Sequence, residues 1–460
     1  MKVEHEALTQ DRFESPSTLP TVRHSRRVFY GWWVVVASAV GLFWGIPITV
    51  YSFSVFFKPL MQEFHVGRAA VSLAYTLKLL TSALCAAPIG WLTDRWGPRR
   101  VILISTAIVG SILLANRVFS GGIAQLYCFY VLLGVSVGGV GPIPYGFLVS
   151  HWFDRFRGLA LGLTMLGIGV GAAVMPSIAQ TLIARFGWKT AYSVLGASVL
   201  LICWPVLAFF LKDKPGDFGL LPDGAPAETD GMGAVMQGLT AREAWRTADF
   251  WLIACAFTLV SASVQGCLIH IAPMLSDRNL SARAAAVGSS VIGSAVLVGR
   301  VGTGYLLDRT FAARLASLLF AVSALGIALL LPGNRPVAFA GAFLVGTGLG
   351  AEVDLIPYVT GRYFGLLDFG KVYSSVFAAF ALAGALGPLI MGAGFDRTGS
   401  YRDPLIAFFV ATLIAAILMT RLGPYRFRAR PHDEKQDLSA NAAEGEPWSM
   451  GYTAGKKVSP

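Results

Sequence analysis

Apolar runs of about 18 or more residues recur from Tyr30 to Arg421, each long enough to cross a bilayer as a helix, with polar breaks between them. Twelve candidate spans result: 30–55, 70–92, 101–119, 122–148, 158–182, 190–211, 250–275, 284–307, 312–331, 336–361, 371–394 and 404–421. A polar stretch at 212–248 divides six from six. Its first part, KDKPGDFGLLPDGAPAETDGMG, reads as a linker. Its second, TAREAWRTADF, reads as a candidate amphipathic helix with Trp245 at the membrane interface. Residues 1–29 and 422–460 read as polar tails, the second without fixed structure. No apolar core precedes Tyr30, so the first span, rather than a cleavable leader, is expected to direct insertion. The pattern predicts an all-α membrane protein with bundles at 30–211 and 249–421.

Composition agrees with the pattern. The 460 residues are 55% hydrophobic and 14% charged, with mean hydropathy +0.62, where soluble domains carry about 25% charge. The net charge of +11 is spread over short loops instead of one face, which argues against nucleic-acid binding. With the N-terminus inside, most Lys and Arg fall on the inner side, so both termini are expected in the cytoplasm of a cell with this chain in its inner (plasma) membrane. The five cysteines all lie in spans and read as packing residues rather than a disulfide framework. The six histidines show no metal-ligand spacing, and no metal or cofactor is expected. Gly138-Gly139-x-Gly141 and Gly167-x-Gly169-x-Gly171 lie within spans with no Gly-Lys-Ser/Thr after them, so they read as close helix contacts and not phosphate loops. Without a nucleotide motif, any transport must run on gradients.

The two halves repeat. GWLTDR (90–95) answers GYLLDR (304–309), Trp152-Phe153 answers Tyr363-Phe364, Pro176 answers Pro388, and Gly187 answers Gly399, all at nearly one offset. Six spans per half give both halves the same orientation, a parallel repeat about an axis along the membrane normal, with a site expected near the midplane between them.

Four charges lie well inside spans: Lys78, Arg300, Glu352 and Asp354. Each costs about 2.5–3.5 kcal/mol at mid-bilayer, so their presence points to substrate or ion handling. Arg300, Asp354 and Glu352 all fall about 12–15 Å from one membrane face, a shared polar layer. Arg300 is the leading candidate, because a guanidinium stays charged and grips a carboxylate through a two-pronged fork; the alternative is a structural ion pair with one of the acids. Glu352 and Asp354 are two residues apart and so about 200° apart on a helix, one expected to face a cavity and the other a neighbouring helix. Either is a candidate proton carrier or a paired structural acid. Pro357 frees the carbonyl of Val353 beside them. Tyr358 shares the face of Asp354 as a donor to substrate or acid. Lys78 reads as an anion attractor or as a snorkelling lysine, and His270 as a proton relay or a hydrogen-bonded histidine. Tyr51, Tyr145 (in GPIPYG) and Gln265 are polar candidates for the cavity wall, with packing as the other reading.

GWLTDRWGPRR resembles the loop after the second helix of the major facilitator superfamily, with Gly90, Asp94, Arg95, Gly97, Arg99 and Arg100 at the matching positions and Asp308-Arg309 as the counterpart. The resemblance implies a charge-relay latch on the cytoplasmic face and the twelve-helix major facilitator fold. WFDRFRGLALGLTMLGIGVG (152–171) and Tyr30-Gly31-Trp32-Trp33 resemble motifs of the monocarboxylate porter family, and PGDFGLLPDG (215–224) is similar to bacterial members and oxalate/formate exchangers. Residues 28–425 are covered. On this resemblance Arg300 stands where the porters bind substrate. The chain departs where animal members carry a helix-1 lysine (here Tyr51) and an aspartate before the helix-8 arginine (here Val296), so their coupling route does not transfer. The expected function is secondary transport of small organic anions, foremost monocarboxylates, by alternating access, with protons or a counter-anion as the coupled ion and the lipid bilayer and substrate as partners of a monomer. The alternatives are a proton-driven exporter of amphipathic compounds and a nutrient sensor that binds without transporting. No catalytic arrangement for an enzyme is present.

Overall fold

The computed structural model describes residues 29–119, 121–153, 156–218, 222, 238–307, 309–331, 334–365 and 367–427. The tails 1–28 and 428–460, most of the linker, and Asp308 lie outside them. Among the described residues, eleven helical segments are long and apolar enough to span a membrane. One of them, Arg157–Phe210 at 54 residues, is two spans folded at Gly187, which brings the number to twelve.

The first half contains α1 (Tyr30–Ile46, continued by Pro47–Tyr51 and Phe53–Phe64), α2 (Arg68–Trp96), α3 (Pro98–Leu114), α4 (Ile123–Trp152), α5 (157–186) and α6 (188–210). The second contains α7 (Ala248–Asp277), α8 (Ala282–Leu307), α9 (Ala312–Leu330), α10 (Arg335–Phe364), α11 (Phe369–Thr398) and α12 (Arg402–Thr420). Pro47 cannot supply an amide hydrogen, and the chain widens there into a π-helical stretch, Pro47–Tyr51, before α1 resumes. The predicted repeat is visible in the backbone. Gly187 turns α5 into α6 with φ 77°, and Gly399 turns α11 into α12 with φ 68°, a left-handed conformation that favours glycine.

The face bearing Tyr30 and Leu422 is called here the terminal face. On it Trp152 donates to the Lys212 carbonyl at 2.9 Å, and the Arg99 amide to Asp213 at 2.9 Å. TAREAWRTADF is not one amphipathic helix. Thr240 and Glu243 form a capping box over a short helix, Ala241–Ala244, and Thr247 then caps α7, so two caps in eight residues split the segment. Trp245 is half-exposed.

Among the described residues, every hydrogen bond and ion pair between the halves lies at mid-depth or toward the far face. Ser54 meets Ser289 at 2.7 Å, Ser177 meets Ser290 at 2.9 Å, and Thr76 donates to the Ala385 carbonyl at 2.6 Å. At the far rim Arg68 and Lys58 both pair with Asp277, Lys58 at 2.7 Å. α5 and α8 cross so closely that a Cβ on Gly293 would stand 2.1 Å from the Ala172 carbonyl oxygen. Toward the terminal face these helices part. A Cβ on Gly90, Gly158, Gly162, Gly302 or Gly304 would meet nothing within 4 Å. The halves are closed at the far face and open at the terminal face.

Candidate functional site

Arg300 lies one turn beyond Leu297, which packs on Gly169 at the α5–α8 crossing. It therefore sits at the roof of the terminal-face cleft. α10 is brought against it by Gly350, whose Cβ would stand 2.2 Å from the Val296 carbonyl oxygen and 3.0 Å from the Arg300 amide nitrogen. Such close approach needs a residue without a side chain. Asp354 is one turn on from Gly350, on the same helix face, and its Oδ2 lies 3.2 Å from Arg300 Nε. That Nε–H is not aimed at the carboxylate and makes no hydrogen bond. Side chains 21% and 38% exposed hold this pair loosely, in the range of about 0–1 kcal/mol. The fork of Arg300 remains open to a ligand.

Glu352 points the other way. It is fully buried, and neither carboxylate oxygen has a hydrogen-bond partner. Tyr51, 7% exposed in the π-helical stretch of α1, lies within the electrostatic reach of both Arg300 and Glu352, so residues from both halves share this layer. Tyr373 of α11 lies in the field of Asp354, and the carboxamide oxygen of Gln265 is buried without a partner beside Gly384. Arg300 and Asp354 are thus in contact, Glu352 is turned away from them, and Tyr51 lies in the field of Arg300 and Glu352.

Other candidates stand elsewhere. Lys78 does not snorkel. It is fully buried, donates to the Thr49 carbonyl at 2.6 Å and lies 5.0 Å from the centre of the Tyr75 ring, because the carbonyls loosened by the π-helical stretch offer a nearer acceptor than the membrane surface. Tyr145 is fully buried. Its hydroxyl presses on Gly41 inside the first bundle, beside Thr106 and Cys203. Tyr358 donates to the Leu307 carbonyl at 3.4 Å. His270 is fully buried among Ser72, Pro388 and Tyr401, each 3.0 Å away.

In the latch loop, Asp94 is exposed and in no ion pair among the described residues. Arg95 stacks on Trp91 and Arg309 on Tyr305, each within its own half. Arg99 donates to the Ala208 carbonyl at 2.9 Å, Gly97 adjoins Asp213, and Arg100 is exposed. With the terminal face open, these charges have no partner across the cleft among the described residues.

Sequence reading missed four residues of the far-face closure, Lys58, Arg68, Asp277 and Tyr401, which look like ordinary loop-edge polar groups. Tyr75 was missed as well, although its i, i+3 spacing from Lys78 could have pointed to it.

The Major Facilitator Superfamily profile matches residues 36–366. Monocarboxylate transporter 12-B of Danio rerio is 25% identical over 433 residues, 89% of this chain and 90% of that protein. Human monocarboxylate transporter 11 is 30% identical over 411 residues, 85% and 82% of the two chains. The oxalate:formate antiporter of Oxalobacter formigenes is 26% identical over 406 residues, 85% and 92%. A solved bacterial homologue of the human lysosomal transporter Spinster superposes with TM-score 0.66 at 16% identity, covering 86% of this chain and 97% of that one, a likeness of fold. Twelve spans in two repeated bundles, a charged layer at their junction and these matches together make the chain a transporter, not an enzyme, that belongs to the major facilitator superfamily.

Proposed function

We propose that the chain is a secondary carrier of small organic anions, foremost monocarboxylates, with its terminal face in the cytoplasm of the inner (plasma) membrane. The single observation that carries this reading is the guanidinium of Arg300 at the roof of a cleft between the halves, part-exposed and paired only loosely with Asp354. A carboxylate displaces Asp354 and takes two parallel N–H bonds from the guanidinium. Tyr51 and Gln265 supply polar walls, and the relatives named for monocarboxylates and for oxalate and formate support the substrate class. Glu352 is the proton carrier. Buried charges are retained only when paired, and this carboxylate has no partner, so its charge changes with the state of the carrier. The positive-inside bias supports the orientation.

The test is uptake of radiolabelled lactate, formate and oxalate by proteoliposomes. Charged hydrogen bonds contribute about 1.5–3 kcal/mol each, so Arg300→Ala is expected to weaken apparent affinity by about tenfold to more than a hundredfold, while the thermal midpoint is kept. Arg300→Lys, charged but without the fork, should recover only part of it. Unchanged uptake by Arg300→Ala overturns the assignment. A native carrier that ignores all three anions overturns the substrate class.

A further inference from the structure

The far-face closure converges on His270. Its Nε2 lies 3.0 Å from both the Pro388 carbonyl of α11 and Ser72 Oγ of α2, and its Nδ1 lies 3.0 Å from the Tyr401 hydroxyl that precedes α12. A carbonyl only accepts, so Nε2 carries the hydrogen and Nδ1 is a bare acceptor for the Tyr401 O–H. The Tyr401 oxygen in turn accepts from Arg68, and Arg68 pairs with Asp277. One donor direction therefore runs from guanidinium to phenol to imidazole to carbonyl, and it joins the two halves at Arg68 and again at Ser72. The chain is complete only when the imidazole is neutral.

A proton on Nδ1 breaks it. The phenol oxygen would then face two donors, and its own hydrogen would have no acceptor. A second cation would also stand beside Arg68. The groups against the ring are Ser72 from α2, the Phe57 ring (4.7 Å) from α1, Tyr401 and the Pro388 carbonyl of α11; Arg68 of α2 reaches it through Tyr401, and Lys58 of α1, Asp277 of α7 and Asp396 of α11 are the charges bound to Arg68 or to its partner. Neither carboxylate is free to balance the new charge. Asp277 already holds both Lys58 and Arg68, and Asp396 accepts the amides of Arg68 and Ala69 at 3.0 and 2.8 Å.

We propose that His270 is a proton-binding site that releases the far-face closure. Proton and closed latch exclude one another, so by linkage acid in the far-face solution populates the state open to that side. The proposal stands apart from the role of Arg300 and needs no identified substrate.

The test uses the full chain in nanodiscs, spin-labelled at Gln62→Cys and Arg397→Cys, exposed positions at the far ends of α1 and α11. The accessible native thiols Cys85, Cys128 and Cys255 are replaced by serine. Inter-label distances are read at pH 8 and pH 5. A longer-distance population is expected to grow severalfold at pH 5 with native His270. It should stay at its pH 8 level in His270→Gln, whose amide offers an N–H to Pro388 and an oxygen to Tyr401 without titrating. Tyr401→Phe, which keeps the ring and loses the hydroxyl, should already be widened at pH 8 and no longer respond to acid. An acid response in His270→Gln equal to that of the native protein overturns the proposal, since Asp277 or Asp396 would then be the sensor. So does a native protein that does not widen, or a Tyr401→Phe protein that keeps the native response.

Discussion

Two carboxylates two residues apart meet different fates because Gly350 sets the rotation of α10. Asp354 repeats the Gly350 face and meets Arg300, while Glu352 turns into the packed interior. If Glu352 carries the coupled proton, Glu352→Gln should fix the site in its neutral form. Counterflow exchange of a carboxylate is expected to persist in proteoliposomes, while accumulation driven by an imposed proton gradient falls at least tenfold. Folding should not suffer, because a neutral amide replaces a carboxylate that has no partner to lose. Equal loss of exchange and accumulation would show that Glu352 holds substrate or structure instead. Of these residues, the four charges were legible from sequence because charge in an apolar run is rare. Their pairing was legible only as alternatives, since helical periodicity separates Glu352 from Asp354 without saying which one meets α8. The place of Lys78 was not legible at all: its acceptor, the Thr49 carbonyl, is a backbone group of a π-helical stretch, and a backbone acceptor leaves no signal in side-chain pattern.

The elements place their close contacts where glycine lets backbones meet. At the α5–α8 crossing, Gly293 faces the Ala172 carbonyl with no room for a methyl group. Gly293→Ala raises helix propensity by about 1 kcal/mol, so a loss of function there must come from the crossing. Overpacking costs about 1–3 kcal/mol, enough to disfavour far-face closure by about fivefold to more than a hundredfold. The Gln62–Arg397 spin-label distance is expected to lengthen at pH 8 and uptake to fall; a native distance with native uptake would show that the crossing absorbs the methyl. The linker helix is tied down differently. Asp368, on the loop before α11, accepts the Ala241 amide and the Lys371 ammonium, both at 2.9 Å, and these hold its carboxyl below the usual carboxylate range. The tie is therefore complete above the ordinary carboxylate range and is lost as pH falls through the lowered value. After the intrinsic pH dependence of exchange is divided out, amide protection at Leu239 and Ala241 should drop on acidification and in Asp368→Asn at neutral pH. Protection unchanged in both would show that the Leu239–Phe364 hydrogen bond and the burial of Ala241 and Ala244 anchor the segment without Asp368. The caps Thr240 and Thr247 were passed over when the segment was read as one helix, and the acceptor Asp368, more than a hundred residues away, gave no local signal.

For the whole molecule, apolar run length gave the twelve spans and the repeated landmarks gave the two bundles, because both are local or periodic signals. The state of the carrier was not legible, since it rests on which rim the halves touch. That contact depends on Arg68, Lys58 and Asp277, charges that sequence alone assigns to loops. Among the described residues no such ion pair joins the halves at the terminal rim, and the latch loop pairs within its own half. A molecule in this state should admit solvent to Gly90 and Gly304, where an added side chain meets nothing within 4 Å, and exclude it from fully buried Ser72. In a background without Cys85, Cys128 and Cys255, single cysteines at 90 and 304 are expected to react with a membrane-impermeant maleimide in inside-out vesicles. They should be at least tenfold slower in right-side-out vesicles, with cysteine at 72 slow in both at neutral pH. A carboxylate that closes the halves around Arg300 should slow the reaction at 304, and Arg300→Ala should remove that protection. Faster labelling from the right-side-out side would reverse the proposed orientation. Equal labelling from both sides, or labelling at 72 matching that at 304, would remove the open terminal face on which access to Arg300 depends.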